Sequence, residues 1–170
     1  MKTIGISLML AFAISTSAAL AADRKAPPAA QAFDINQTVV KMALAEDVSA
    51  DDAIEALQSK AVELNMKFVA HQPLSKELEA RGVESGRLEI FQFCNPMDAH
   101  EMVKFNPIFA AYMPCRIALV EDQDGMHWLM MLDLDMLINN SPLPPELHKI
   151  AERVNSTLVQ IMEAGANGEF

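Results

Sequence analysis

Both cysteines of the chain, Cys94 and Cys115, fall in one stretch with Met97, His100, Met102 and Met113. Thiolate and thioether sulfur suit Cu(I), and imidazole also binds copper. Cys94, Cys115, Met97 and His100 are therefore a candidate metal set, with copper as the candidate cofactor. On a helix, His100 shares a face with Met97 three residues before it, whereas Met102 turns elsewhere. The same two cysteines suit a disulfide closing a loop of about 20 residues, which stabilises by roughly 3 kcal/mol in chain-entropy terms. A redox pair is the third reading, and it lacks the Cys-x-x-Cys spacing that tunes such thiols. Arg116 starts a strand, where its guanidinium either pairs with Asp133 or Asp135 or anchors a carboxylate or phosphate. Asn95, Met113 and Arg116 are the candidate ligand-binding residues.

Other motifs stop short of chemistry. His100-Glu101 opens a zinc-protease helix, but Lys104 stands where the second histidine is required. The acidic run Glu121, Asp122 and Asp124 resembles a calcium loop, yet Asp133 occupies the closing position that takes a glutamate. It reads as a solvated turn. His71, His127 and His148 read as half-exposed residues without a catalytic partner. No catalytic set is complete, which points to a non-enzymatic protein.

The N-terminus addresses the chain to export. Lys2 precedes the apolar stretch Ile4 to Ile14, and Ala19-Leu20-Ala21 supplies small residues at a cleavage site. Residues 1–21 are expected to be a signal peptide cleaved after Ala21, leaving a periplasmic protein with no membrane anchor. The apolar stretch is shorter than the about 20 residues that a bilayer span needs. The formal net charge is −10 and becomes one unit more negative without Lys2, which disfavours nucleic acid and anionic lipid as partners. A small ligand or a protein remains as the partner. An oxidising compartment also favours the disulfide.

The elements that must position these residues follow from periodicity. Residues 22–36 are rich in Ala and Pro and read as a flexible leader, and residues 37–165 as one domain. Thr38 to Leu44 alternates as a strand. Ser49 and Asp52 form a capping box ahead of a helix whose inner face carries Ile54, Leu57, Ala61, Val62 and Leu64. Met66 to His71 is a second strand, with a short helix possible over Ser75 to Ala80. Leu88 to Phe93 is apolar on both faces and predicts an interior strand covered on two sides. Asn95 caps a helix begun by Pro96. Arg116 to Val120 and Met126 to Leu132 form a hairpin turned at Gly125. A long amphipathic helix follows Pro145, ending at Gly165, with residues 166–170 as a frayed tail. The sum is an α+β two-layer sandwich in the order β-α-β-β-β-β-α, an antiparallel sheet with two main helices.

Ile90 to Leu132 resembles the domain-of-unknown-function family DUF302. The resemblance rests on Asn95-Pro96 after a strand, Asn106-Pro107, Pro114-Cys115-Arg116 leading into a strand, and the Asp122-Gln123-Asp124-Gly125 hairpin. It extends from about Thr38 to Leu137. It implies a curved antiparallel sheet and two helices in TATA-binding-protein-like order, and it implies no reaction. Many such domains carry Gly at the place of Cys94 and lack Cys115, so this chain looks like an exported, cysteine-containing variant. The expected function is a non-enzymatic exported module binding a small ligand or soft metal. The alternative is a disulfide-stabilised interaction accessory, followed by a thiol-redox protein.

Overall fold

The computed structural model describes residues 34–170. The expected signal peptide, residues 1–21, and most of the expected leader lie outside the described residues. The final leader residues enter a 3₁₀ turn, Ile35–Thr38, capped by Asp34. Five strands and five helices follow: β1 Val39–Ala43, α1 Ala50–Glu63, β2 Lys67–Pro73, α2 Leu74–Glu79, β3 Leu88–Cys94 and α3 Pro96–Phe105. After a 3₁₀ segment, Pro107–Tyr112, come β4 Cys115–Glu121, β5 His127–Leu132, α4 Leu134–Asn139 and α5 Pro145–Asn167. The strands form one sheet in the order β1-β5-β4-β3-β2, with every neighbouring pair antiparallel. The architecture is α+β, in the expected order of major elements.

Local chemistry explains the ends of the elements. The Ser49 hydroxyl accepts from the Asp52 N–H at 3.1 Å, and the Asp52 carboxylate accepts from the Ser49 N–H at 3.3 Å. This closes the capping box and satisfies donors that a helix start leaves free. Gly125 takes φ 78° in the hairpin, a conformation that suits glycine. There Asp122 accepts from the Asp124 and Met126 N–H groups and from the Trp128 indole at 2.7 Å. These bonds, the Trp128 one foremost, hold its carboxyl below the usual range.

Helices α1 and α5 pack on one sheet face. Ala53, Leu57 and Ala61 from α1 meet Leu158, Ile161 and Met162 from α5 above the strand residues Phe91, Phe93, Ile117, Leu119 and Leu129. Two expectations change here. Val62 is 75% exposed, because it lies about 100° around the helix from the buried Ala61. Strand β3 alternates between buried Glu89, Phe91 and Phe93 and half-buried Leu88, Ile90 and Gln92, so it is interior to the sheet but covered fully on only one face.

The C-terminus also departs from expectation. Helix α5 passes Gly165 and runs to Asn167, and Gly168 at φ 65° provides the left-handed cap. The Ala45 N–H donates to the Ala166 carbonyl at 2.9 Å, and Ala164 and Ala166 are buried. Residues 166–168 therefore belong to the packed domain. Gly165 is not a stop signal: a β-carbon there would lie 2.7 Å from Leu57 Cγ and 3.0 Å from Leu129 Cδ1. It permits close approach of helix and sheet.

Candidate functional site

Three adjacent strands bring their ends together at one end of the sheet. Lys67 of β2 pairs with Cys94 of β3, and Phe93 of β3 pairs with Cys115 of β4. Met66, Cys94, Met113 and Cys115 thus sit at one end of neighbouring strands spaced about 4.8 Å apart. The chain beyond β3 folds over this end because Asn95 accepts from the Met97 and Asp98 N–H groups at 3.0 and 3.3 Å. That caps α3, with Pro96 preset in its first turn. Asn106 repeats the device for the 3₁₀ segment, accepting from the Ile108 N–H at 3.0 Å.

Under this cover lies a cavity of about 350 Å³, within the range of small-molecule sites. Its floor includes Met66, Cys94 and Cys115; α3 contributes Met102 and Phe105, and the 3₁₀ segment Phe109 and Tyr112. Leu134, Ile138, Ile150 and Val154 from α4 and α5 complete an apolar wall. Most polar side chains of the lining are already committed. Asn95 and Asn106 cap helical segments, the Ser141 hydroxyl donates to the Leu137 carbonyl at 2.6 Å, and Asp98 accepts from Arg153 at 2.5 Å. The remaining polar handles are the two thiols, the Tyr112 phenol and the carboxamide N–H groups of Asn95 and Asn106. No Lys or Arg is among the lining residues.

Neither cysteine is bridged in this structure. Cys115 pairs with Phe93 across the β3–β4 ladder, so it stands diagonal to Cys94 rather than directly opposite it, and both side chains line the same cavity. A bridge needs β-carbons about 3.5–4.5 Å apart and facing one another. Burial pushes the Cys115 thiol up to about 11, with Cys94 adding to the effect. Burial, then the Asp98 charge, raises Cys94 as well.

The other candidates separate. Met113 lines the cavity. Asn95 lines it too, but its carboxamide oxygen is spent on the α3 cap. Met97 is 72% exposed and His100 is exposed, both on the outer side of α3, so the set Cys94, Cys115, Met97 and His100 does not converge. Among the described residues no three His, Cys, Asp or Glu side chains form a metal cluster. Arg116 is exposed, because alternation along β4 turns it away from Cys115 and Ile117. Its expected partners are occupied otherwise: Asp133 caps α4, and Asp135 accepts from Asn155 at 2.8 Å.

A second polar group escaped the sequence reading. Glu89 is only 2% exposed; it accepts from the Arg87 guanidinium and meets His71 Nε2 at 2.5 Å. His71 stacks on Phe91 with 4.6 Å between ring centroids, and Arg87 reaches Asp51 of α1 at 2.5 Å. Burial opposes the Arg87 charge, yet hydrogen bonds to Asp51 and Glu89 outweigh it and raise the guanidinium above its ordinary value. This set ties β2 and β3 to the start of α1, and the cavity does not reach it. A signal was present: Glu89 falls on the same strand face as Phe91 and Phe93, where a charge demands partners.

The five-stranded antiparallel sheet, two long helices on one face and a cavity at the strand ends define an α+β domain. The model of the family described as "Domain of unknown function DUF302" matches residues 40–165, and the chain belongs to that family. Its fold is similar to the crystal structure of an uncharacterized conserved DUF302 protein from Bacillus stearothermophilus. That similarity has a TM-score of 0.64 and 18% identity, over 75% of this chain and 97% of that one. No curated protein matches the chain.

Proposed function

We propose that this protein is an exported, non-enzymatic binding module whose cavity takes a small, neutral, largely apolar ligand. The observation that carries the reading is the cavity of about 350 Å³ with apolar walls and no cationic anchor. A carboxylate or phosphate would meet Asp98 there without an arginine or lysine in the lining. Burial of apolar ligand surface contributes about 25 cal/mol per Å², and the thiols and Tyr112 leave room for weak polar selection. Export rests on the pattern of residues 1–21, and the mass of the secreted chain tests it through cleavage after Ala21. The raised thiol pKa values disfavour a redox role, since the thiolate is the reactive form.

The test is titration with Nile red, a neutral apolar fluorophore, against the full secreted chain and against Ala151→Phe, which fills the cavity from α5. The expected outcome is saturable binding weakened at least tenfold in Ala151→Phe, with an unchanged circular dichroism spectrum. Arg116→Ala should bind as the parent does. Equal binding by parent and Ala151→Phe would place the probe elsewhere and sink the reading. A second reading, a protein partner docking over the cavity mouth, draws on the exposed apolar side chains Phe105, Ile108 and Tyr112, which are 51, 61 and 51% exposed.

A further inference from the structure

We infer that the floor of the cavity is a Cu(I) site built by Cys94 and Cys115 with thioether sulfur from Met66, Met102 or Met113. The inference rests on the same cavity as the ligand reading but uses a different part of it. All five sulfur residues line that one cavity. Four of them are placed by register rather than by coincidence of sequence. Lys67 pairs with Cys94 and Phe93 with Cys115, which sets Met66 beside the end of β3 and Met113 just ahead of β4. Met102 then closes the group from α3.

The chemistry of the lining selects the ion. Two thiols and three thioethers are soft donors that suit Cu(I), whereas Mg²⁺ and Ca²⁺ require oxygen ligands. The carboxamide oxygens of Asn95 and Asn106 and one oxygen of Asp98 are engaged by caps and by Arg153, which leaves sulfur as the most abundant uncommitted donor in the lining. Loading is a balanced substitution: Cu(I) replaces both thiol protons, two copper–sulfur bonds form, two protons leave to solvent, and no electron is transferred. The thioether adds a neutral third ligand without further proton release. Apolar walls around such an ion limit water and oxidant access.

The experiment uses the full secreted chain, reduced and kept anaerobic, titrated with Cu(I) in competition with bicinchoninate. Proton release is measured by calorimetry in two buffers of different ionisation enthalpy. The expected result is one Cu(I) per chain with close to two protons released. Cys94→Ser should lose at least a hundredfold in affinity, and the triple variant Met66→Leu/Met102→Leu/Met113→Leu at least fivefold. Met97→Leu and His100→Ala should bind as the parent does. Should Cys115→Ser fail to fold, Cys94→Ser and the methionine variant still decide the matter. No competition with the chelator, or unchanged affinity in Cys94→Ser, overturns the site. A secreted chain two mass units light that takes no Cu(I) after reduction overturns it as well. Nile red binding separates the two readings. Bound probe without copper removes only the metal site, and bound copper without probe removes only the apolar ligand.

Discussion

Replacing Gly165 by alanine tests the packing that holds α5 to the domain. The new β-carbon would sit 2.7 and 2.8 Å from Cγ and Cδ2 of Leu57 and 3.0 Å from Leu129 Cδ1. Both leucines are completely buried, so neither can swing into solvent. Overpacking of a filled core costs about 1–3 kcal/mol, and the better helix propensity of alanine returns about 1 kcal/mol. The net expectation is a loss of about 1 kcal/mol, read from urea unfolding as a lower midpoint at constant slope. A double-mutant cycle sharpens the test. Leu57→Ala alone should cost about 2–5 kcal/mol. With that side chain cut back, Gly165→Ala should turn neutral or stabilising, giving a favourable coupling of about 1–2 kcal/mol. Additive effects in the cycle, or a Gly165→Ala protein as stable as the parent, would refute the close-approach argument.

Glu89→Ala should destabilise by about 3–5 kcal/mol, because it strips a buried carboxylate from Arg87 and His71; chemical denaturation reads this, and a loss under about 1 kcal/mol would show that the group is not a buried ion cluster. Thiol labelling gives the third prediction. With Cys115 raised to about 11 and Cys94 raised by burial and Asp98, iodoacetamide at pH 8 should modify the native chain far more slowly than the unfolded chain. Asp98→Asn should speed labelling of Cys94, and its failure to do so would remove Asp98 as a cause. The linkage sign follows from the same shift. The unfolded state loses the Cys115 proton near the ordinary thiol pKa of 9 and the folded state near 11, so stability is unaffected below pH 9 and falls as pH rises from 9 to 11. About 2 kcal/mol is lost over that window, allowing for partial exposure; Cys115→Ser should flatten the decline.

Sequence made legible whatever is decided within a few residues. Ser49 and Asp52 mark the start of α1, Asn95-Pro96 that of α3, and Gly125 the hairpin, because each satisfies or frees backbone groups nearby. The periodicity of α5 was legible for the same reason. Gly165 misled because a glycine near a helix end has two uses, termination and close approach, and only Leu57 from a distant helix decides between them. Met97 and His100 misled because sequence proximity to Cys94 ignores the direction of a helix face. Met66 was invisible as a site residue, since it joins Cys94 through β2–β3 register, a relation with no local trace.

The placement of the cavity follows from how stability is distributed. The core gathers α1, α5 and the inner sheet face, where Phe91, Phe93, Ile117 and Leu129 have no exposed surface. The cover of the cavity is different: neither α3 nor the 3₁₀ segment contains a buried residue. Their helical ends are fixed by Asn95 and Asn106, while their apolar side chains face a hollow instead of a filled core. Segments with little buried surface open at lower free energy than the body of a domain. On the proposed reading, adjustment of this cover to a ligand would leave the sheet intact. The cysteines stand where the two regimes meet, on strands held by the core but lining the hollow, which makes them rigidly placed and partly accessible.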